Sequence, residues 1–268
     1  MEDQKRAVRD FWDAASCGEN LYLQGETRES YQHQARHRYE LEPYIIPFAD
    51  FAGSRGKRVL EIGVGLGADH QRFAEAGADL YGIDLTERAV EHAQRRLGIL
   101  QLVSKLCVGD AERLEFPDEF FDIVYSWGVL HHTPDTQRAT AEVWRVLKPG
   151  GTAKVMIYHK WSLVGYMLWI RYALLILCPW RTLSYIYGRY LESPGTKAYS
   201  IAESRKLFSA FHEVRISTVL THGDLLESGV GQRHGGILLT LARTFWPRWL
   251  LRSLFKDHGL FMLVDARK

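Results

Sequence analysis

At 268 residues, with 46% hydrophobic and 25% charged side chains, the chain has the composition of an ordinary globular domain. A core of that size needs no disulfides, and the length suits one large α/β domain better than two small ones. The net charge of +2 hides an asymmetry, since residues 160–256 carry 13 Lys and Arg against 5 Asp and Glu; these basic residues are interleaved with Leu, Ile and Trp, which excludes a nucleic-acid module and points to an anionic or membrane-surface partner.

Residues 1–18 are mixed and charged, with no signal-peptide pattern, so a cytoplasmic protein with reduced Cys17, Cys107 and Cys178 is expected. The segment Glu19-Asn20-Leu21-Tyr22-Leu23-Gln24-Gly25 resembles a plant-virus protease site used to remove tags. Leu23 stands where that site has Phe, and the segment is read as native. Lys57 to Ile62 reads as a strand ending in a glycine-rich turn, followed by a helix from about Asp69 to Glu75. Asp79 to Ile83 is the next strand, and Thr86 caps a helix to about Leu97. Leu102 to Val108 and Phe121 to Ser126 are two further strands. Pro134 opens a helix that stops at Lys148-Pro149-Gly150-Gly151, and Thr152 to Tyr158 is a fifth strand. This alternation predicts a parallel sheet with helices on both faces. An apolar, aromatic block over 161–197 then interrupts it. Ala202 to Phe211 resumes as a helix, Glu213 to Leu220 as a sixth strand, and a second insertion, 222–258, precedes the final strand Leu260 to Ala266.

The turn Glu61-Ile62-Gly63-Val64-Gly65-Leu66-Gly67 lets backbone approach a ligand closely, because glycine has no Cβ. Gly63-x-Gly65-x-x-Ala68 also matches the dinucleotide fingerprint of a dehydrogenase. Asp84, ending the second strand, is able to accept hydrogen bonds from the ribose hydroxyls of either ligand. At this point a nicotinamide-dependent dehydrogenase and a nucleoside-cofactor transferase both remain open.

Three further motifs follow in order. Gly109-Asp110-Ala111-Glu112 comes after the third strand and Phe121 to His132 spans the fourth strand and its loop. Leu147-Lys148-Pro149-Gly150-Gly151 precedes the fifth. Together with the glycine turn they resemble the class I S-adenosylmethionine-dependent methyltransferases, especially the ubiquinone- and menaquinone-type small-molecule enzymes. The resemblance covers residues 55–160 firmly and the last strands loosely. It implies a Rossmann-like seven-stranded α/β sheet with the last strand antiparallel, and helical lid insertions after strands five and six. It makes the chain a single domain, with 1–54 as an N-terminal cap, 55–160 as the cofactor-binding core, 161–197 and 222–258 as lids, and 259–268 as the last strand.

The resemblance also implies roles. Gly63, Gly65 and Gly67 would lie against the methionine part and ribose of S-adenosylmethionine, with Glu61 near its ammonium. Asp84 and Leu85 would hold the ribose, and Asp110 and Ala111 would contact adenine. Ser126 and Trp127 would border the sulfonium, with Leu130 and His131 lining the route to the acceptor. Methyl transfer is an in-line displacement that asks mainly for alignment, and a base helps only where the nucleophile carries a proton. Histidine suits that role; His131 and His222 are the first candidates, with His132, His159 and His234 behind them. Tyr22, Tyr31 and Arg38 from the cap are expected at the substrate, and Arg233 with His234 is expected to recognise an anionic group. No metal is called for.

Leu163 to Cys178 is almost wholly apolar but, at 16 residues, short of the roughly 20 that span a bilayer. The tryptophan- and arginine-bearing stretch 237–256 is able to pack on the sheet, lie in a membrane interface or join two copies. A lid this apolar predicts a lipophilic acceptor methylated on O or C. The competing readings are the dehydrogenase and a membrane-associated, non-catalytic protein that keeps the fold.

Overall fold

The strand runs read from the sequence pair into one sheet in a computed structural model that describes residues 2–227, 243–244 and 246–268. The strands are β1 (Arg58–Ile62), β2 (Asp79–Asp84), β3 (Lys105–Val108), β4 (Phe121–Trp127), β5 (Leu147–Tyr158), β6 (Glu213–Val219) and β7 (Phe261–Arg267), in the order β3-β2-β1-β4-β5-β7-β6. The first five are mutually parallel; β7 enters between β5 and β6, antiparallel to both. This is the seven-stranded mixed sheet expected from the resemblance, and it differs from the all-parallel order of a dinucleotide-binding dehydrogenase domain.

Helices flank both faces because side chains along each strand alternate between them. On one face, Leu60, Ile62, Val124 and Val155 pack with Ala139, Val143 and Val146 of α7 (Thr136–Val146). On the other, Val59, Leu80, Ile123 and Tyr125 pack with Phe73 of α5 (Ala68–Ala76) and with the N-terminal segment through Tyr39 and Ile45. That segment consists of α1 (Glu2–Ala14), α2 (Glu19–Tyr22), α3 (Arg28–Leu41) and α4 (Ile45–Ala49). Thr86 caps α6 (Glu87–Leu100), its hydroxyl accepting from the Ala89 amide.

Some boundaries move for local reasons. The third strand begins at Lys105 rather than Leu102, because the Leu102 amide donates to the Leu97 carbonyl and closes α6. The helix expected from Pro134 starts at Thr136, capped by Asp135. It ends at Val146, and Lys148-Pro149-Gly150-Gly151 lies inside β5 as an irregular stretch, with the Gly150 amide donating to the Lys268 carbonyl.

The first insertion builds α8 (Leu163–Trp169), continuing as a wider π turn over Ile170–Leu174, and then α9 (Leu183–Ile186), continuing over Tyr187–Leu191. Next come α10 (Ile201–Leu207), opened by a Ser200–Glu203 capping box, and α11 (Arg248–Leu254) of the second insertion. Leu251 of α11 packs against Leu163 and Leu225, which joins the two insertions. Among the described residues no helix is long and apolar enough to cross a membrane.

Arg96 fastens the N-terminal segment to the core. It is fully buried, yet its guanidinium donates only to neutral acceptors: Gln71 Oε1 and Gln34 Oε1 at 2.8 Å, and the Leu66 and Tyr31 carbonyls at 3.0 Å. Burial pulls its pKa down to about 10, which leaves it charged at neutral pH. One side chain thereby ties α3, α5, α6 and the glycine turn together.

Candidate active site

Strands β1, β2 and β4 end at one edge of the sheet, where ligands bind in open α/β folds. There the loops enclose a cavity of about 390 Å³. Its floor is Glu61 to Asp69, Ile83 to Thr86, Gly109 to Ala111 and Trp127 to Val129. Its cover comes from the N-terminal segment (Lys5, Val8, Trp12, Leu21, Tyr22, Arg38), from Val164, Leu191 and Glu192 of the first insertion, and from Thr221 to Gly223 at the start of the second.

The glycines divide their work. A Cβ on Gly63 (φ +83°) would come within 2.1 Å of Val129 Cγ2, so this position lets the β1 and β4 loops close on each other. Gly65 (φ +49°) has open space where a Cβ would stand and presents bare backbone to the cavity. Gly67 (φ +74°) borders the cavity but mainly meets Ala93, so its first task is close packing of α6. Beside them the Asp84 carboxylate accepts from the Gly65 amide at 3.2 Å and from the Thr86 amide and hydroxyl at 3.1 and 2.9 Å. Burial pushes its pKa up, and these donors pull it back.

Glu61 lies 2.8 Å from His70 Nδ1, and His70 Nε2 lies 2.7 Å from Ser104 Oγ. Because the Ser104 hydroxyl donates to the Leu80 carbonyl, it must accept from His70, which places a hydrogen on Nε2. Burial, then the nearby Asp69, raises Glu61 well above the carboxylate range, and burial lowers His70 to about 3. Asp69 is itself held low; burial would raise it, but Arg38 at 2.8 Å and hydroxyls donated by Tyr125 and Tyr39 prevail. A buried carboxyl beside an open glycine turn is chemically suited to a ligand's ammonium, and Asp84 to a ribose diol. The residues present therefore fit an S-adenosylmethionine-like group.

Asp110 borders the cavity and is also held by the N-terminal segment. Lys5 of α1 sits 2.5 Å from its Oδ2 and 2.7 Å from Glu112 Oε2, while Asp110 Oδ1 accepts from the Glu112 amide. Its carboxylate is thus engaged by the cap. Leu85, Ala111 and Trp127 border the cavity, Trp127 stacked on Tyr44 with ring centroids 6.0 Å apart.

Several residues assigned to the site lie elsewhere. Ser126 is fully buried between strands, its hydroxyl donating to the Ile62 carbonyl, and Leu130 belongs to the core. His131 is fully buried behind Tyr158, ring centroids 4.0 Å apart, and burial drives its pKa well below the ordinary value. It has no access to the cavity, so its assignment as first candidate base is corrected. Tyr31 is buried against Arg96, with the cation 5.2 Å from its ring, so it packs the fold and does not meet substrate. His159 is likewise buried and bonded to the Gly259 carbonyl at 3.2 Å. Arg233 and His234 fall outside the described residues.

His132 and His222 do reach the cavity, as does Tyr22. The His132 ring is held from behind, with Nδ1 2.8 Å from Ser193 Oγ and 3.1 Å from Thr196 Oγ1. The Thr196 hydroxyl donates to the Ser193 carbonyl, so it can only accept from His132; Nδ1 carries the hydrogen and Nε2 is left basic. Glu192 lies 3.4 Å from that Nε2, accepting a hydrogen bond from the Tyr158 hydroxyl at 2.7 Å. His131, His132 and Glu192 bring their donor atoms within 4.8 Å of one another, a grouping that the expectation of no metal did not foresee.

Sequence reasoning missed two groups. Glu42 lines the cavity, and burial lifts its carboxyl to about 7 against the pull of Arg38. Glu192 sits in a turn of the first insertion. Neither carries a motif, and only the fold brings Glu192 to the histidine and Glu42 to the same cavity.

Sheet order, glycine turn and acidic strand end together define the class I methyltransferase fold with its cofactor cleft. The family model for the methyltransferase domain matches residues 60–155, a stretch that holds the glycine turn, Asp84 and the fourth strand. Within that class it is similar to a ubiquinone biosynthesis O-methyltransferase of Aromatoleum aromaticum, 37% identical over 42% of this chain and 49% of the relative. It is also similar to a demethylmenaquinone methyltransferase of Tropheryma whipplei, 35% identical over 44% of this chain and 50% of the relative. The chain thus matches about half the length of each. Among solved structures, a Haemonchus contortus phosphoethanolamine N-methyltransferase 2 bound to S-adenosylhomocysteine shares the fold at TM-score 0.61 and 19% identity, over 97% of this chain and 60% of that one.

Proposed function

We propose that the protein transfers the methyl group of S-adenosylmethionine to an oxygen or carbon of a lipophilic small molecule. One observation carries the reading: a single cavity joins the glycine turn and Asp84 to an apolar, aromatic chamber whose wall holds His132. The cofactor, when bound, supplies a sulfonium methyl already activated for displacement. Glu61 would meet its ammonium and Asp84 its ribose, with Leu85 and Ala111 beside the adenine. Trp12, Trp127, Val164, Leu191 and Phe261 exclude water and align an apolar acceptor. His132 Nε2 removes the acceptor's proton, and the Glu192 carboxylate is placed to face the resulting positive charge. The likeness to the ubiquinone and demethylmenaquinone enzymes supports a lipophilic acceptor. Lys5 and Arg38 are already in ion pairs, so an anionic group on the acceptor rests on Arg233 and His234.

Incubating the protein with S-adenosylmethionine and a panel of lipophilic phenols, quinols and acids, then measuring S-adenosylhomocysteine and methylated product, tests this. On a hydroxyl acceptor, His132→Gln should lower kcat about 100-fold and leave cofactor affinity unchanged. Cofactor binding with no product from any acceptor would favour the non-catalytic reading. A fully active variant would remove His132 from the chemistry.

A further inference from the structure

The first insertion leaves its most apolar stretch in solvent. Leu174, Leu175, Ile176 and Leu177 are 47%, 59%, 48% and 81% exposed, and Trp180 is 74% exposed. Leu177 also holds a left-handed backbone (φ +58°), a conformation that costs a non-glycine residue energy and here aims a large apolar side chain outward.

This tip is not loosely attached. Amides of Leu175, Leu177 and Cys178 donate to the carbonyls of Ile170, Leu174 and Ala173, and the Trp169 indole donates to the Arg181 carbonyl at 2.9 Å. Tyr172 stacks on Tyr190 at 4.1 Å, while Leu168, Ala173, Ile186 and Tyr187 are buried beneath. A rigid base thus carries an apolar crest. Isolated exposed leucines are ordinary, but a continuous run on a well-packed support marks an interaction surface.

Charge indicates what covers it. From Trp161 to Leu191 the chain carries Arg171, Arg181 and Arg189 and no carboxylate, and among the described residues none of the three arginines forms an ion pair. Aliphatic and tryptophan side chains with cations and no acids match the boundary between acyl chains and anionic headgroups. The feet of the same insertion, Val164 and Leu191, line the cavity, which places the crest on the element that forms the chamber wall. We infer that residues 170–181, the crest of the first insertion, dock the protein onto an anionic phospholipid bilayer surface. This docking stands independently of the methyl-transfer reading.

Sedimentation with sucrose-loaded vesicles of phosphatidylcholine containing about 30% phosphatidylglycerol tests it, against vesicles of phosphatidylcholine alone. The full chain should bind the mixed vesicles, less so at high salt, and bind the plain ones weakly. Leu175→Ser/Leu177→Ser should reduce the bound fraction at least about tenfold, and Arg171→Glu should reduce the preference for mixed vesicles, with melting temperature unchanged in both. Wild type that ignores mixed vesicles, or a double variant that binds as well as wild type, would overturn the proposal. So would an oligomer in solution that the double variant dissolves while vesicle binding is absent, because the crest would then join copies of this chain.

Discussion

Glu42 shows how a single residue's surroundings set its chemistry. Its carboxyl is buried at the cavity wall beside Arg38, and burial raises its pKa from the ordinary value to about 7. A carboxyl that titrates higher folded than unfolded binds its proton more tightly in the native state, so stability falls as pH rises from about 4.5 to about 7. Glu42→Gln should therefore melt at a higher temperature than wild type at pH 8, by about 1–3 kcal/mol of stability. The difference should fade towards pH 4.5, as denaturant titrations across that range would read. A variant no more stable than wild type at pH 8 would mean that the carboxyl is ionised at little cost. The two adjacent histidines teach a related lesson. In the 3-10 turn Leu130–His132 successive side chains diverge by about a third of a turn, so neighbours in sequence face different surroundings. His131 enters the core and His132 the cavity, a choice the sequence leaves open because both are histidine.

At the scale of elements, the glycine turn is held from behind by Arg96, which no motif advertises. Arg96→Leu removes four hydrogen bonds and takes the donor from the Leu66 carbonyl and the buried Gln34 and Gln71 side-chain oxygens, so it should cost about 2–4 kcal/mol. It should also weaken cofactor binding, because Leu66 belongs to the turn. Thermal melts and calorimetry on the variant would check both effects, and an unchanged melting temperature would show that the cap is fastened elsewhere. The strands and core helices were legible because their signals are local: buried β-branched runs, the Thr86 cap, the glycine turn, the alternation of period. The N-terminal helices were legible only as a cap and the insertions only as apolar stretches, since the contacts that shape them join residues distant in sequence. Glu19, within the protease-site-like segment, is one such case; it pairs with Arg88 of α6 at 2.5 Å and is drawn down to about 2 by that bond. The segment is part of the fold.

Across the whole molecule, one cavity unites the sheet edge, the N-terminal segment and both insertions. The proposed cofactor half was readable because a short motif fixes the backbone at Gly63 and Gly65, and Asp84 ends the neighbouring strand. The acceptor half was not, because His132, Glu42 and Glu192 converge from three separate parts of the chain. Calorimetric titration of wild type and Asp84→Ala shows whether this cleft holds S-adenosylmethionine. Binding on the order of micromolar is expected in wild type, weakened at least about 100-fold in a variant that still melts cooperatively. Absence of binding at millimolar ligand, or equal affinity in the variant, would contradict it.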